Sequence, residues 1–235
     1  MSISVTTPGP DPFAVSAEVS SDHPRGRLGD DVADAVTAAG LDSRAAQVWL
    51  VDVRDGDDEA LGAQGFVPYR NLLQMRCTLP VERAGIDTRA FDPDADAQAF
   101  IEVNNRAFAW HPEQAGMTEQ RLATVMAEPW FDPDGFRLHE IGGRLAGFCW
   151  TKIHAARPAQ GEPALGEIYV IAVDPDFHGQ GLGGPMTRAG LDWLADRGLT
   201  TAMLYVESDN DAAIRTYERI GFAPHAINRA YRSAP

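Results

Sequence analysis

Lysine is almost missing from this chain. Of its twenty basic residues nineteen are arginine, and Lys152 stands alone. Thirty-four acidic side chains leave a formal net charge of −14, spread along the chain rather than gathered in a tail. A surface of that sign repels nucleic acid and anionic lipid, so neither is expected as a partner. An anionic ligand would have to be held by backbone amides and helix ends. No run of eighteen apolar residues occurs, so no membrane-spanning helix is expected. Met1 to Pro12 lack the basic start and apolar block of a secretion signal, and a soluble cytoplasmic protein is the expectation. The only two cysteines, Cys77 and Cys149, sit inside strand-like apolar runs, which suits buried thiols in a reduced compartment. No His/Cys/Asp cluster has metal spacing and no nucleophile triad is evident, so no metal is expected. One scarcity bears on function: in an arginine-rich chain, a single lysine points to a site wanting a compact point charge.

What is present reads as globular, and 235 residues allow one large domain or two small ones. The second half has a clear element pattern. Strands are expected at 86–91, 136–141, 145–154, 165–173, 200–206 and 224–231. Helices are expected at 94–108, with Ala99, Val103 and Ala107 on one face, at 118–126 with Thr118 as N-cap, at 185–197, and at 209–219. Gly142-Gly143 signals a hairpin and Gly221 a helix stop. The predicted order is β-α-α-β-β-β-α-β-α-β, a mixed-sheet α/β (α+β) fold.

The first half reads as a worn copy of the end of the second. Gly65-Phe66-Val67-Pro68 matches Gly221-Phe222-Ala223-Pro224, and at the same offset Trp49 falls on Tyr205, Arg54 on Asn210 and Leu61 on Tyr217. His23 to Gly29 resembles His178 to Gly183 with one glycine lost. The expected organisation is a disordered segment 1–12, a partial degenerate domain 13–79 without chemistry, and a catalytic domain 85–232.

The strongest motif is Asp174-Pro175-Asp176-Phe177-His178-Gly179-Gln180-Gly181-Leu182-Gly183-Gly184, after a predicted strand and opening a helix. Glycines there let successive backbone N–H groups point inward, and the helix N-terminus adds partial positive charge, which suits a pyrophosphate. Alone, the pattern fits a flexible turn equally well. No Lys-Ser/Thr follows, which excludes a Walker loop, and no βαβ unit precedes it, which argues against a dinucleotide fold. Asn210 comes later, with Tyr217 at i+7 on the same helix face, then Gly221-Phe222. Together these resemble the GCN5-related N-acetyltransferase (GNAT) superfamily: a Gly-rich pyrophosphate loop followed by Asn-x-x-Ala-x-x-x-Tyr-x-x-x-Gly-Phe. The resemblance implies an acyl-CoA N-acyltransferase fold in which acetyl-CoA enters between two splayed strands. The loop begins with His178 where the superfamily usually has Arg or Gln, which weakens phosphate attraction.

A narrower likeness rests on Asn104-Asn105-Arg106-Ala107-Phe108-Ala109-Trp110-His111-Pro112-Glu113, Glu128-Pro129-Trp130-Phe131, Gly147-Phe148-Cys149-Trp150-Thr151-Lys152-Ile153-His154, Gly166-Glu167-Ile168-Tyr169-Val170 and Tyr205-Val206-Glu207. These are similar to the mycothiol synthase family, which acetylates the cysteinyl amine of Cys-GlcN-inositol and carries two tandem acetyltransferase domains, the second catalytic. The likeness implies substrate contacts at Glu113, Lys152, Glu167 and Tyr205. It implies acetyl-CoA contacts at Ile171, Ala172, Val173, His178, Gly179, Gln180, Gly181, Leu182, Gly183 and Gly184, and at Asn210, Asp211, Ala212, Ala213, Ile214 and Arg215. The shortened first half lacks a further acidic substrate contact of that family.

Acyl transfer to an amine needs a base, an oxyanion donor and an acid for the leaving thiolate. Strand alternation would put Glu167, a candidate base, on one face with Tyr169, Ile171 and Val173. A backbone N–H near 171–173 could stabilise the oxyanion, and Tyr217 could protonate the departing sulfur. Each has a plainer reading: Tyr217 as packing, Glu167 as a strand-end charge, Glu113 as a solvated loop residue. Trp110, Trp130 and Trp150 read as core. The resulting expectation is a monomeric acetyl-CoA-dependent N-acetyltransferase acting on a small-molecule amine. The rivals are the same machinery serving an aminoglycoside or amino acid, and a non-catalytic acetyl-CoA-binding protein.

Overall fold

A computed structural model describes residues 3–6, 15–40, 46–111, 114–158, 161 and 163–234. The chain divides into two compact units. Unit 1 is Met1–Gln74, Val206–Asp211 and Pro224–Pro235; unit 2 is Met75–Tyr205 and Ala212–Ala223.

Unit 1 is built from β1 (Ile3–Thr6), β2 (Val15–Val19), α1 (Leu28–Ala38), β3 (Ala46–Leu50), α2 (Asp57–Gly62), most of β4 (Phe66–Thr78) and, from the far end of the chain, β10 (Ala223–Ser233). β1 lies antiparallel to β2, β2 parallel to β3, and β10 antiparallel to β3 with Arg229 opposite Leu50. Val19, Leu28, Val32, Val48, Leu50, Leu61 and Tyr231 form its core. The Tyr231 hydroxyl donates to Asp58 Oδ1 at 2.7 Å.

Within the expected segment 1–12, Ile3–Thr6 pairs with β2, and residues 7–12 lie outside the described residues. Residues from Pro224 onward group with unit 1. The end strands of the two halves look alike in sequence, so local similarity cannot say which strand β10 pairs with.

Unit 2 holds the end of β4, then β5 (Arg89–Ala90), α3 (Pro93–Ala107), α4 (Glu119–Met126), β6 (Phe136–Ile141), β7 (Arg144–His154), β8 (Leu165–Val173), α5 (Gly183–Asp196), β9 (Thr201–Glu207, through Tyr205) and α6 (Asp211–Ile220, from Ala212). The strand order is β4-β9-β8-β7-β6-β5. β8 and β9 are parallel, while β5 to β8 are antiparallel neighbours. Thr118 is the N-cap expected from the sequence, and α3 gains a cap that was not expected. Asp92 accepts from Asp94 N ahead of Pro93, and Thr118 accepts from Arg121 N. Gly142 and Gly143 turn the β6–β7 hairpin at φ +59 and +73. The strand expected at 86–91 shrinks to two residues, the stretch that faces Arg137 and Leu138 of β6. The face of α3 is also redrawn: Phe100, Ile101, Val103 and Asn104 are buried there, so phenylalanine sets the face rather than the alanines.

One sheet face carries α3 and α4 over an aromatic stack. The Phe136 and Trp150 rings lie parallel at 4.6 Å, and Phe100 meets Phe136 and Phe148 edge-on at 5.0 and 4.9 Å. The other face carries α5 at close range. A Cβ on Gly190 would stand 2.5 Å from Cys149 Sγ and 2.9 Å from Ile168 Cδ1, so only glycine permits that approach. Cys77 and Cys149 are buried free thiols, each pushed up to about 12 by loss of solvent.

Candidate active site

The site grows from an irregularity in β8. The register of β7 and β8 shifts, so that Trp150 faces Val170 while Thr151 faces Ile168. Tyr169 is the extra residue of a β-bulge, and it turns to the same face as Val170. The alternation expected for 167, 169, 171 and 173 is thereby broken. Tyr169, Val170 and Ala172 lie on the aromatic face beneath α3, whereas Ile171 stands opposite Cys149 on the α5 face. Glu167, paired with Lys152, belongs with the aromatic face.

Glu167 is only 7% exposed, and its Oε2 lies 2.6 Å from His154 Nε2. Lys152 sends its ammonium over the rings of Trp130 and Tyr169, 4.5 and 5.5 Å from their centroids. Burial first, then the charge of Glu167, holds the Tyr169 hydroxyl above its ordinary range. On β9, Met203 stands opposite Glu167, so alternation brings Tyr205 to the same face. The structure thus gathers Lys152, Glu167 and Tyr205 from three adjacent strands. Glu113 lies outside the described residues. At the end of α3, Asn105 Oδ1 accepts from Met117 N at 2.7 Å, and Asn104 Nδ2 donates to Gln114 O at 2.9 Å.

β8 and β9 pair only from Gly166–Ile168 to Ala202–Leu204. β8 then runs on to Val173 without β9 alongside, and the glycine loop leaves from that open end. Its base is clamped. Asp174, almost fully buried, accepts from Asp176 N at 2.9 Å and forms an ion pair with Arg106. Asp176 pairs with Arg106 and Arg144. His178 Nε2 lies 2.9 Å from the Val173 carbonyl, so the ring clasps the two ends of the turn. Gly179 and Gly181 take φ +79 and +76. Gly183 and Gly184 form the first turn of α5, where backbone N–H groups lack partners within the helix.

Tyr217, on α6, is buried and meets Phe222 edge-on at 5.9 Å. Burial, and then nearby Cys149, holds its hydroxyl above the ordinary tyrosine range. Ala212 to Arg215 form the first turns of α6 in unit 2; Asn210 and Asp211 are grouped with unit 1, and Asn210 N donates to Glu207 O at 3.0 Å. Of the three tryptophans expected in the core, Trp150 is buried and Trp130 half-buried, but Trp110 is 63% exposed; it follows α3 at the start of a connecting segment rather than on a packed face.

His154 and the Arg106/Arg144 clamp were not among the expected site residues. His154 carried a signal, since it alternates with Lys152 along β7. The clamp had none, because Arg106 and Asp174 are brought together only by the packing of α3 on β8. A cavity of about 780 Å³ between α3 and the β6–β7 turn reaches Asp174, lined by Glu102, Asn105, Arg106 and Arg144 among others, and it includes none of the expected ligand contacts.

A parallel strand pair that opens onto a glycine loop and helix N-terminus, beside a buried carboxylate, is the arrangement of an acyl-CoA acyltransferase. Residues 97–222, more than half of the chain, match the Acetyltransferase (GNAT) family, and the chain belongs to that family. Its similar relatives include mycothiol acetyltransferases. That of Tsukamurella paurometabola is 42% identical over 243 residues, 97% of this chain and 80% of the relative. That of Streptomyces griseus subsp. griseus is 46% identical over 176 residues, 72% of this chain but 55% of the relative, so the chain spans about half the length of some of these proteins. The crystal structure of a GCN5-related N-acetyltransferase from Sphaerobacter thermophilus shares the fold, with a TM-score of 0.71 at 20% identity, covering 97% of this chain and 75% of that one. Among the described residues no helix is long and apolar enough to cross a membrane, and no group of His, Cys, Asp and Glu could hold a metal ion.

Proposed function

We propose that the chain transfers acetyl from acetyl-CoA to a small-molecule amine, the cysteinyl amine of Cys-GlcN-inositol, as a mycothiol synthase. The observation that carries this reading is the end of β8–β9 pairing at Ile168, with the glycine loop at the open end and Glu167 beside it. The residues present fit the cosubstrate. Amides of Gly179 to Gly184 and the α5 N-terminus suit a diphosphate, and the unpaired edge of β8 at Ile171 to Val173 suits an extended amide-bearing arm. Ala212 to Arg215, in the first turns of α6, join that contact set.

When bound, acetyl-CoA supplies an activated acetyl thioester. The protein's part is positioning and proton movement. An α-amine with a pKa near 8 is mostly protonated at neutral pH and must lose a proton before it attacks. Glu167, buried and on the face with Lys152 and Tyr205, takes up that proton. Lys152, its charge resting on two aromatic rings, offers a donor to a hydroxyl or carbonyl of the acceptor. Backbone N–H groups at 171–173 face the developing oxyanion. Tyr217, held protonated by burial, gives its proton to the departing sulfur, and the second proton that the nitrogen sheds as the amide forms restores it.

Unit 1 carries no chemistry in this reading. Its β2-α1-β3-α2-β4 order matches β8-α5-β9-α6-β10, which supports a shortened copy. There the strands do not part: Val51 N still donates to Val19 O at 3.0 Å, beyond the last β2–β3 pair. Arg25 fills the place of a ligand, donating to the carbonyls of Val51 and Asp52 at 3.1 and 3.2 Å and to Asp57.

The test is CoA release with Cys-GlcN-inositol and a panel of other amines. Rapid release with the first alone supports the proposal. Preference for an aminoglycoside or amino acid reassigns the acceptor, and tight acetyl-CoA binding without turnover of any amine refutes the catalytic reading.

A further inference from the structure

Glu167 is held at one oxygen by a side chain that the acyltransfer scheme above does not use. His154 Nε2 lies 2.6 Å from Glu167 Oε2, a short distance for a bond between an N–H and a carboxylate. The two residues come from neighbouring strands, His154 from the end of β7 and Glu167 from the third position of β8. Their exposure differs: the Glu167 side chain is 9% exposed, the His154 side chain 34%.

Lys152 stands opposite Glu167 in the strand register and is the obvious rival for this role. Its ammonium goes instead over Trp130 and Tyr169, and among the described residues it forms no ion pair with Glu167. Trp130 and Tyr169, both on this face, give the lysine a place to rest. The carboxylate is left with the imidazole on Oε2 and nothing on Oε1 among the described residues.

We propose that His154 is a positioning residue for amine acetylation. Its Nε2–H donates to Oε2 of Glu167, holds the carboxylate in one rotamer and leaves Oε1 as the atom that receives the proton. The inference rests on the acetyltransferase reading for its kinetic consequence, though not for the bond itself. The proton balance is simple. The N–H bond of the acceptor's ammonium breaks, its electron pair stays on nitrogen, and the proton passes to Oε1. Glu167 becomes a neutral acid that still accepts from His154 through Oε2, and it returns the proton to water once the product leaves. A ring one-third exposed at a strand end fits such a support, because it is anchored by one bond and is not required for packing.

Two measurements test this. The first needs no substrate: the imidazole nitrogens of His154 are read by long-range ¹H–¹⁵N correlation on the full chain, in wild type and in Glu167→Ala. The expected result is a ring with its Nε2 protonated in wild type, and a loss of that preference for Nε2 in the variant. An Nε2 that carries no proton in wild type overturns the proposal whether or not any amine is acetylated. The second is kinetic. His154→Leu, which removes the donor, should lower kcat at least about tenfold with the KM for acetyl-CoA unchanged. His154→Gln, which can place an N–H near the same point, should recover kcat to within about threefold of wild type, while the shorter His154→Asn should not. Folded Leu and Gln variants that are equally impaired, or equally active, would refute a role for the N–H. A wild-type protein that acetylates no amine overturns the acetyltransferase reading, and the spectrum then decides the bond separately.

Discussion

The cradle proposed for the diphosphate depends on two backbone conformations that a side chain resists, and this sets the size of a measurable effect. Gly179 and Gly181 have φ +79 and +76, and an added Cβ at either would meet nothing within 4 Å. Any cost of Gly181→Ala is therefore conformational, with no clash to confuse it. Holding an L-residue in the left-handed region costs about 1–2 kcal/mol, a factor of about five to thirty in the population of the loop's native shape. That cost must appear in one of two places. If the loop relaxes in the free protein, the penalty falls on binding, and the dissociation constant for acetyl-CoA rises about five- to thirtyfold with little change in Tm. If the surrounding fold enforces the turn, the penalty falls on folding, and Tm drops while affinity is kept. Titration calorimetry with acetyl-CoA and a denaturant melt, run on the same variant, read the two shares, whose sum should come to about 1–2 kcal/mol. Gly181→Asn, which tolerates this region better, should show a smaller sum. A Gly181→Ala protein with wild-type affinity and wild-type stability would refute both the backbone argument and the cradle built on it.

Three further outcomes follow from the same geometry. Tyr217→Phe should lower turnover at least about tenfold while acetyl-CoA affinity holds; since burial raises this hydroxyl above its ordinary 10.0, the wild-type rate should not fall through Tyr217 ionisation below pH 10. By linkage the unfolded chain ionises first, so native stability should decline as pH rises past that value, a decline that pH-dependent melts in the Phe variant should show weakened. Cys77 and Cys149, buried with thiols near 12, should stay silent to a disulfide reagent at pH 8 and react together once the chain is unfolded; rapid labelling of the native protein would contradict their burial. Gly190→Ala places a carbon 2.5 Å from Cys149 Sγ and should destabilise by about 1–3 kcal/mol in denaturant melts, with Cys149→Ala restoring part of the loss.

The amino-acid sequence by itself determined the helices, strands and turns of residues 118–220 to within a few positions. Their signals are local: Thr118 caps the residue three places on, Gly142-Gly143 turns a hairpin, and Gly179 and Gly181 supply positive φ wherever the chain ends up. It also determined the loop and the family that the loop and Tyr217 mark. Only the tertiary structure decided the rest. The bulge at Tyr169 goes with a slip in register between β7 and β8, and that slip moves Ile171 away from Glu167 and brings Val170 to its face. Strand pairing carries β10 into unit 1, and the packing of α3 on β8 joins Arg106 to Asp174. The bond from His154 to Glu167 and the filling of unit 1 by Arg25 likewise join residues that are not sequence neighbours. Hydrogen bonds and ion pairs of this kind depend on where separate strands and helices meet, and a chain read residue by residue does not carry that distance.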